Sequence, residues 1–162
     1  MIDRPFYIDR FSVDPEELGR KRNQLHLKAG SKNKRFFKNK DWEHIIGAYG
    51  EVAFADCFRL PLDQSLRPQG DITDFTTEFG RIDVKTSTVA NDLEVKVSHL
   101  HRSELFVLAW FIKSDKAVQL LGWEHVSVVA AAPKRMSRFN FEVHFIPAEQ
   151  LRPMDFLGDL LK

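Results

Sequence analysis

Apolar and polar positions follow a helical period in the first third of the chain and a strand period through most of the rest. Asp14-Pro15-Glu16-Glu17 opens the first helix: Asp14 suits the N-cap, Pro15 the first helical position, and Glu17 the capping-box spacing. This helix is expected to run to about Lys28 and stop near Gly30. A second helix, with Asp41 as its cap, is predicted to run to about Phe58. Ile45, Ile46, Tyr49, Val52, Ala53 and Phe54 form its broad apolar face. Gly47 and Gly50 cost this helix roughly 1 kcal/mol each relative to alanine, and small residues there predict the close approach of another backbone. Glu51 stands between Gly50 and the apolar run that begins at Val52.

After a proline-containing loop, strands are predicted at 71–75, 81–87 and 93–98, with turns near Gly80 and Asn91-Asp92. Residues 104–113 are almost wholly apolar, as in a central strand buried on both faces. Residues 117–123 read as its hairpin partner across the turn Ser114-Asp115-Lys116. A short helix is expected over 124–132, ended by Pro133. A strand over 138–146 then places Phe139, Phe141, Val143 and Phe145 on one face. A helical turn follows Pro147, and beyond Pro153 comes an amphipathic C-terminal helix carrying Phe156, Leu157, Leu160 and Leu161. That helix either closes the core or forms a homodimer interface. The order predicts one α/β (α+β) domain, a central mixed β-sheet flanked by helices. It divides into a basic N-terminal helix and loop (1–40), a core (41–146) and a C-terminal helix (147–162).

Composition supports a packed core: 43% of the 162 residues are hydrophobic, and 14 are phenylalanine. The single Cys57 excludes an internal disulfide and a multi-cysteine zinc site, and fits a reducing, cytoplasmic setting. No apolar run reaches the roughly 18 residues of a membrane span, and the first residues lack a signal-peptide core. The expectation is a soluble intracellular protein with no membrane partner. The net charge of +1 conceals a marked asymmetry. Residues 20–40 hold nine basic residues and no acidic one, among them Lys21, Arg22, Lys28, Lys32, Lys34, Arg35, Lys38 and Lys40. The remainder is acidic. A basic arm on an acidic body points to a polyanionic partner, with lysines meeting nucleic-acid phosphates and Phe36 or Phe37 stacking on a base.

The candidate chemistry lies in 70–87. Two residues apart on one strand, Asp83 and Lys85 leave it on the same side, while Ile82 and Val84 face the other way. Asp71 precedes this strand and Glu51 lies on the preceding helix. Hard cations such as Mg²⁺ or Mn²⁺ take oxygen ligands, usually one or two carboxylates with waters and substrate phosphate. Asp71, Asp83 and the Val84 carbonyl offer such oxygens, Glu51 could complete the set, and Lys85 could orient a water or stabilise developing charge. The chemistry implied is hydrolysis of phosphodiester bonds assisted by one or two divalent ions. His99-x-His101 is a weaker metal pair, expected at the edge of the site or on the surface. No P-loop, dinucleotide fingerprint or nucleophile elbow is present.

In order and spacing, residues 41–125 resemble the PD-(D/E)XK nuclease superfamily. Gly47-Ala-Tyr-Gly-Glu51 resembles its helix-borne glutamate motif, and Gly70-Asp71-Ile72 stands at its PD position, with glycine in place of proline. Ile82-Asp83-Val84-Lys85-Thr86-Ser87 resembles its (D/E)XK strand. The resemblance implies an α-β-β-β-α-β core, Asp71 and Asp83 as metal ligands, Lys85 as the catalytic lysine and Glu51 as an auxiliary ligand or base. It also implies Thr86 and Ser87 as phosphate contacts. The function expected is a metal-dependent DNA endonuclease of phage or mobile-element type, structure-specific or DNA-processing. A Holliday-junction resolvase is one alternative, and a non-catalytic DNA-binding module on a degenerate nuclease fold is another.

Overall fold

The structure, a computed structural model, describes residues 5–28, 40–64 and 73–162. Asp71, Lys32, Lys34, Arg35, Lys38, Phe36 and Phe37 lie outside the described residues, as does the side chain of Lys40.

Helix α1 (Pro15–Lys28) starts as the sequence predicts. Asp14 Oδ1 accepts from the N–H groups of Glu16 (2.9 Å) and Glu17 (3.3 Å), satisfying donors that the helix leaves open. Glu17 does not complete a capping box. Its carboxylate pairs instead with Lys21 one turn on, at 2.6 Å. Helix α2 (Lys40–Phe58) begins one residue ahead of Asp41, which is therefore inside the first turn rather than its cap. The Asp41 carboxylate accepts a hydrogen bond from the Asn23 amide of α1.

The two helices stack because α2 is apolar on two faces. Ala48 and Val52 meet Leu18 of α1, while Ile45, Tyr49, Ala53 and Phe54 enter the main core. The close helix crossing is at Gly19, where an added Cβ would lie 2.5 Å from Ile45 Cα. Of the two glycines expected to admit a neighbour, Gly47 faces open space. Gly50 meets a side chain rather than a backbone, and its missing Cβ would lie 1.9 Å from Thr86 Oγ1.

A five-stranded mixed sheet forms the centre. It comprises β1 (Tyr7–Ile8), β2 (Phe75–Thr77), β3 (Gly80–Ser87), β5 (Leu105–Ile112) and β6 (Ala117–His125), in the order β1-β6-β5-β3-β2. Strand β3 runs parallel to β5, and the other pairs are antiparallel. The strand expected at 93–98 forms as β4 (Asp92–Lys96) but leaves this sheet. It joins β8 (Glu142–Pro147) and β7 (Lys134–Met136), a strand the sequence pattern did not foresee, in a separate antiparallel sheet of order β4-β8-β7. Two sheets therefore replace the single one predicted.

Strand β5 lies between these layers, which accounts for its unbroken apolar run. Leu105, Val107, Ala109 and Phe111 face the core shared with α2, while Phe106 and Leu108 face a second cluster with Leu93, Val95 and Ile146 of the small sheet. Helix α3 (Val126–Ala131) forms as expected. In α4 (Met154–Leu160), Met154 and Leu157 are buried, whereas Phe156 is 62% exposed. The predicted burial of Phe139 and Phe141 also fails: they lie in a turn before β8 and are 42% and 40% exposed. Among the described residues, no helix is long and apolar enough to cross a membrane.

Candidate active site

The hairpin of β2 and β3 carries the site. Gly80 turns it with φ of +121°, a left-handed conformation that glycine adopts without steric cost. The start of β3 is clamped to the start of β5 by an ion pair. Glu104 accepts from the Arg81 guanidinium (2.6 Å) and the Arg81 backbone N–H (2.6 Å). The guanidinium, then the backbone N–H, draw the Glu104 carboxyl down to about 2. With β3 fixed, the side chains of Asp83 and Lys85 leave one face together, and Lys85 Nζ lies 2.7 Å from Asp83 Oδ2. Ile82 and Val84 pack into the core on the other. This is the geometry that the period-2 reading anticipates.

The third carboxylate is one that sequence reasoning did not select. Asp74 precedes β2, and its N–H donates to the Ile82 carbonyl at 3.1 Å. Its Oδ2 accepts from the Val84 N–H at 2.7 Å, beyond the last β2–β3 residue pair. Asp74 thus spans Asp83 from both sides. Thr73 steadies the connection, with its Oγ1 donating to the Ile82 carbonyl at 2.9 Å. Asp74 as a residue retains some exposure, yet its carboxylate is enclosed, and burial pushes its pKa well above the ordinary range. The negative charges of Glu51 and Asp83 push it the same way, while the Val84 N–H and Lys85 oppose them. Three carboxylates from α2, β3 and the strand before it therefore share one electrostatic neighbourhood.

Glu51 does point toward this cluster, carried there by the packing of Gly50 on Thr86. It is held by Arg22, whose Nη1 lies 2.7 Å from Glu51 Oε2, with both side chains largely buried. Arg22 Nη2 also donates to the Asp63 carbonyl at 3.4 Å. Arg22, expected to contact nucleic-acid phosphate, is thus turned inward to neutralise the site. Lys21 and Lys28 are exposed, as a phosphate contact requires. Thr86 is not placed to meet phosphate: its Oγ1 is buried under Gly50 and makes no hydrogen bond among the described residues. Ser87 Oγ accepts from the Val89 N–H at 3.2 Å in the turn that follows β3. The backbone of Val84 engages Asp74 through its N–H.

Cations border the acidic cluster on the side of the small sheet. A 3-10 turn over Val97–Arg102 follows β4 and brings His99 and Arg102 toward Lys85. Burial, then the charges of Arg102, Lys85 and Lys96, lower His99 to about 4, so it is neutral at physiological pH. Burial first, then Lys85 and Arg102, also lower Lys96. His99 therefore lies at the edge of the site, one of the two positions the sequence allowed for the histidine pair. Among the described residues, no three His, Cys, Asp or Glu side chains converge as a ready metal cage. Mg²⁺ does not require one, since one or two carboxylates with waters and substrate phosphate commonly hold it. Asp74 and Asp83 provide that number. The enclosed, mutually repelling carboxylates are the donor type a hard divalent cation suits.

Asp74 lacked a local signal. It lies three residues after Asp71 in Gly-Asp-Ile-Thr-Asp-Phe, and only the β2–β3 pairing decides which aspartate stands beside β3. Compared with protein-family models, with curated proteins and with solved structures, the chain matches none, so its functional reading rests on these residues and their geometry.

Proposed function

We propose that this chain is a divalent-metal-dependent nuclease that hydrolyses DNA phosphodiester bonds. The observation that carries the reading is Asp74. Its carboxylate is enclosed, tied to the Val84 N–H, and electrostatically coupled to Glu51 and Asp83, with Lys85 alongside. Asp74 and Asp83 would hold Mg²⁺ or Mn²⁺, and Glu51 would join them on exchanging Arg22. A bound ion of this kind supplies Lewis-acid polarisation of the phosphoryl group and a more acidic water. Lys85 contributes a fixed positive charge for the phosphate oxygens as negative charge develops. Asp83 keeps the Lys85 ammonium oriented, and Lys96 and Arg102 extend the positive field over which the phosphate backbone would lie. The exposed Lys21 and Lys28 suit backbone contacts further away.

A non-catalytic DNA-binding module is the second reading, and one observation favours it: Glu51 and Asp83 are already ion-paired within the chain, to Arg22 and Lys85. Incubation with single-stranded, duplex, flap and four-way-junction DNA, with Mg²⁺ and with Mn²⁺, separates the two. Cleavage that requires added metal and falls to background in Asp83→Ala and Lys85→Ala, with unchanged circular dichroism, supports the nuclease. Binding without cleavage under either metal supports the module. Undiminished cleavage in EDTA or in both variants rejects the proposed site.

A further inference from the structure

The turn joining β7 to β8 belongs neither to the core nor to the acidic cluster, yet it is closely tied together. Ser137 Oγ accepts from the N–H groups of Phe139 (3.3 Å) and Phe141 (3.2 Å). The Ser137 N–H donates to the Phe141 carbonyl at 2.8 Å, and the Asn140 N–H donates to the Ser137 carbonyl at 3.0 Å. Asn140 takes φ of +66°, which asparagine tolerates better than most residues. So constrained, the turn presents two aromatic rings to solvent, Phe139 at 42% and Phe141 at 40% exposure.

Each ring carries a cation. Lys96 Nζ stands 3.7 Å from the Phe141 centroid, and the Arg138 guanidinium 4.6 Å from that of Phe139. Other basic groups nearby are already engaged: Arg135 pairs with Asp92 and Glu94 at 2.6 Å each, and Lys134 with Glu142 at 3.7 Å. Lys96 and Arg138 make no salt bridge among the described residues, so their charge remains available to an anion. Lys96 also joins the turn to the candidate active site, because it shares an electrostatic neighbourhood with Lys85 and Arg102.

We propose that this turn holds an unpaired nucleic-acid strand, its bases stacked on Phe139 and Phe141 and its phosphates on Lys96 and Arg138. Exposed rings interleaved with cations match a polymer that alternates flat π-faces with negative charges. A duplex satisfies only the cations, since its bases are already stacked on one another. A second copy of this chain is a poor occupant, since a two-fold contact would bring the cation-bearing patch against its own image. On the nuclease reading, on which this extension rests, the turn delivers unpaired strand to the acidic cluster and makes single-stranded or branched DNA the preferred substrate class.

The test is fluorescence anisotropy on the full chain in EDTA, with labelled oligo-dT, oligo-U and a blunt duplex of equal length. The native chain should bind at least one unpaired strand more tightly than the duplex, and the two strands tell DNA from RNA. Phe139→Leu with Phe141→Leu retains apolar bulk and removes the stacking rings. It should weaken binding to the unpaired strand by about tenfold or more, since each stacked ring is typically worth about 5- to 150-fold. Lys96→Ala should flatten the salt dependence. Equal affinity for duplex, an unaltered double variant of native circular dichroism, or a double variant that changes only the oligomeric state in sedimentation overturns the proposal. Strand preference that persists in a chain unable to cleave with Mg²⁺ or Mn²⁺ retires the nuclease reading and leaves this binding site standing. Metal-dependent cleavage with no loss in the double variant does the reverse.

Discussion

The five-stranded and three-stranded sheets are built from similar β-rich sequence and meet across β5, yet they treat their outward groups in opposite ways. The larger sheet is covered by α2 and α4 on one side and by the small sheet on the other. Polar groups on its strands are enclosed, and must be paired or neutralised: Asp83 with Lys85, and Asp74 with the Val84 N–H. The small sheet buries Leu93, Val95 and Ile146 against β5 and lets its β7–β8 turn reach solvent, where Phe139 and Phe141 sit under cations. One sheet concentrates negative charge in a low-dielectric setting. The other displays aromatic and positive surface. A phosphate polymer bridging them would meet both kinds of group.

Substitutions along this divide should differ in kind as well as size. Phe106 is fully buried on the β5 face that meets the small sheet. Phe106→Ala should cost about 3–5 kcal/mol, the usual penalty for an emptied aromatic site, measured by urea denaturation. A loss below about 1 kcal/mol would mean that the two sheets are not joined through that face.

The contact between α2 and β3 should come next. Gly50→Ala forces a Cβ to within 1.9 Å of Thr86 Oγ1. Overpacking costs about 1–3 kcal/mol, of which improved helix propensity returns roughly 1. The expected net loss is about 1–2 kcal/mol, and Thr86→Ala in the same chain should recover most of it. Independent, additive losses in a double-mutant cycle would show that Gly50 does not set the position of Glu51 through Thr86.

Asp74 should show the opposite sign. The folded chain holds its proton more tightly than an unfolded chain, where aspartate titrates near about 3.9. Stability therefore falls as pH rises from that value through the raised folded one, then levels off. Asp74→Asn, measured without metal, should flatten that slope and raise Tm near neutrality by about 2–4 °C, the effect of about 1 kcal/mol in a chain of this size. DNA cleavage should be lost in the same variant. A lower Tm at neutral pH would show that the carboxylate is stabilised in the fold and that its repulsion with Glu51 and Asp83 is not the dominant influence.

The smallest effect on stability belongs to the exposed turn. Phe141→Ala should shift the unfolding free energy by no more than about 0.5 kcal/mol, because its ring is not part of either core cluster. A penalty comparable to that of Phe106→Ala would make the turn a structural element and remove the contrast between the sheets.

Much of this architecture was legible from local pattern. The start of α1, the all-apolar β5 and its hairpin with β6, and the shared face of Asp83 and Lys85 each depend on a period of 3.6 or 2 within one element, or on a cap next to it. Glu51 stood out as a charge in an apolar helix, and the fold carries it to the cluster. The basic arm was read as uniform, but Arg22 belongs to the site while Lys21 faces solvent. Helical spacing orders these residues around one axis without saying which direction α2 occupies. Phe139 and Phe141 misled for a related reason: alternation predicts that alternate residues share a face, not that the strand has begun or that the face is covered.

The sequence by itself determined the elements, the capped first helix, the central apolar strand and the carboxylate–lysine pair, because each is fixed by the geometry of a few consecutive residues. The tertiary structure alone decided that β4 leaves the main sheet, that Asp74 spans Asp83, and that Arg22 faces Glu51. Those outcomes depend on pairings between segments distant in the chain, where many registers satisfy the same local pattern and only packing, hydrogen bonding and charge compensation across the assembled fold select one.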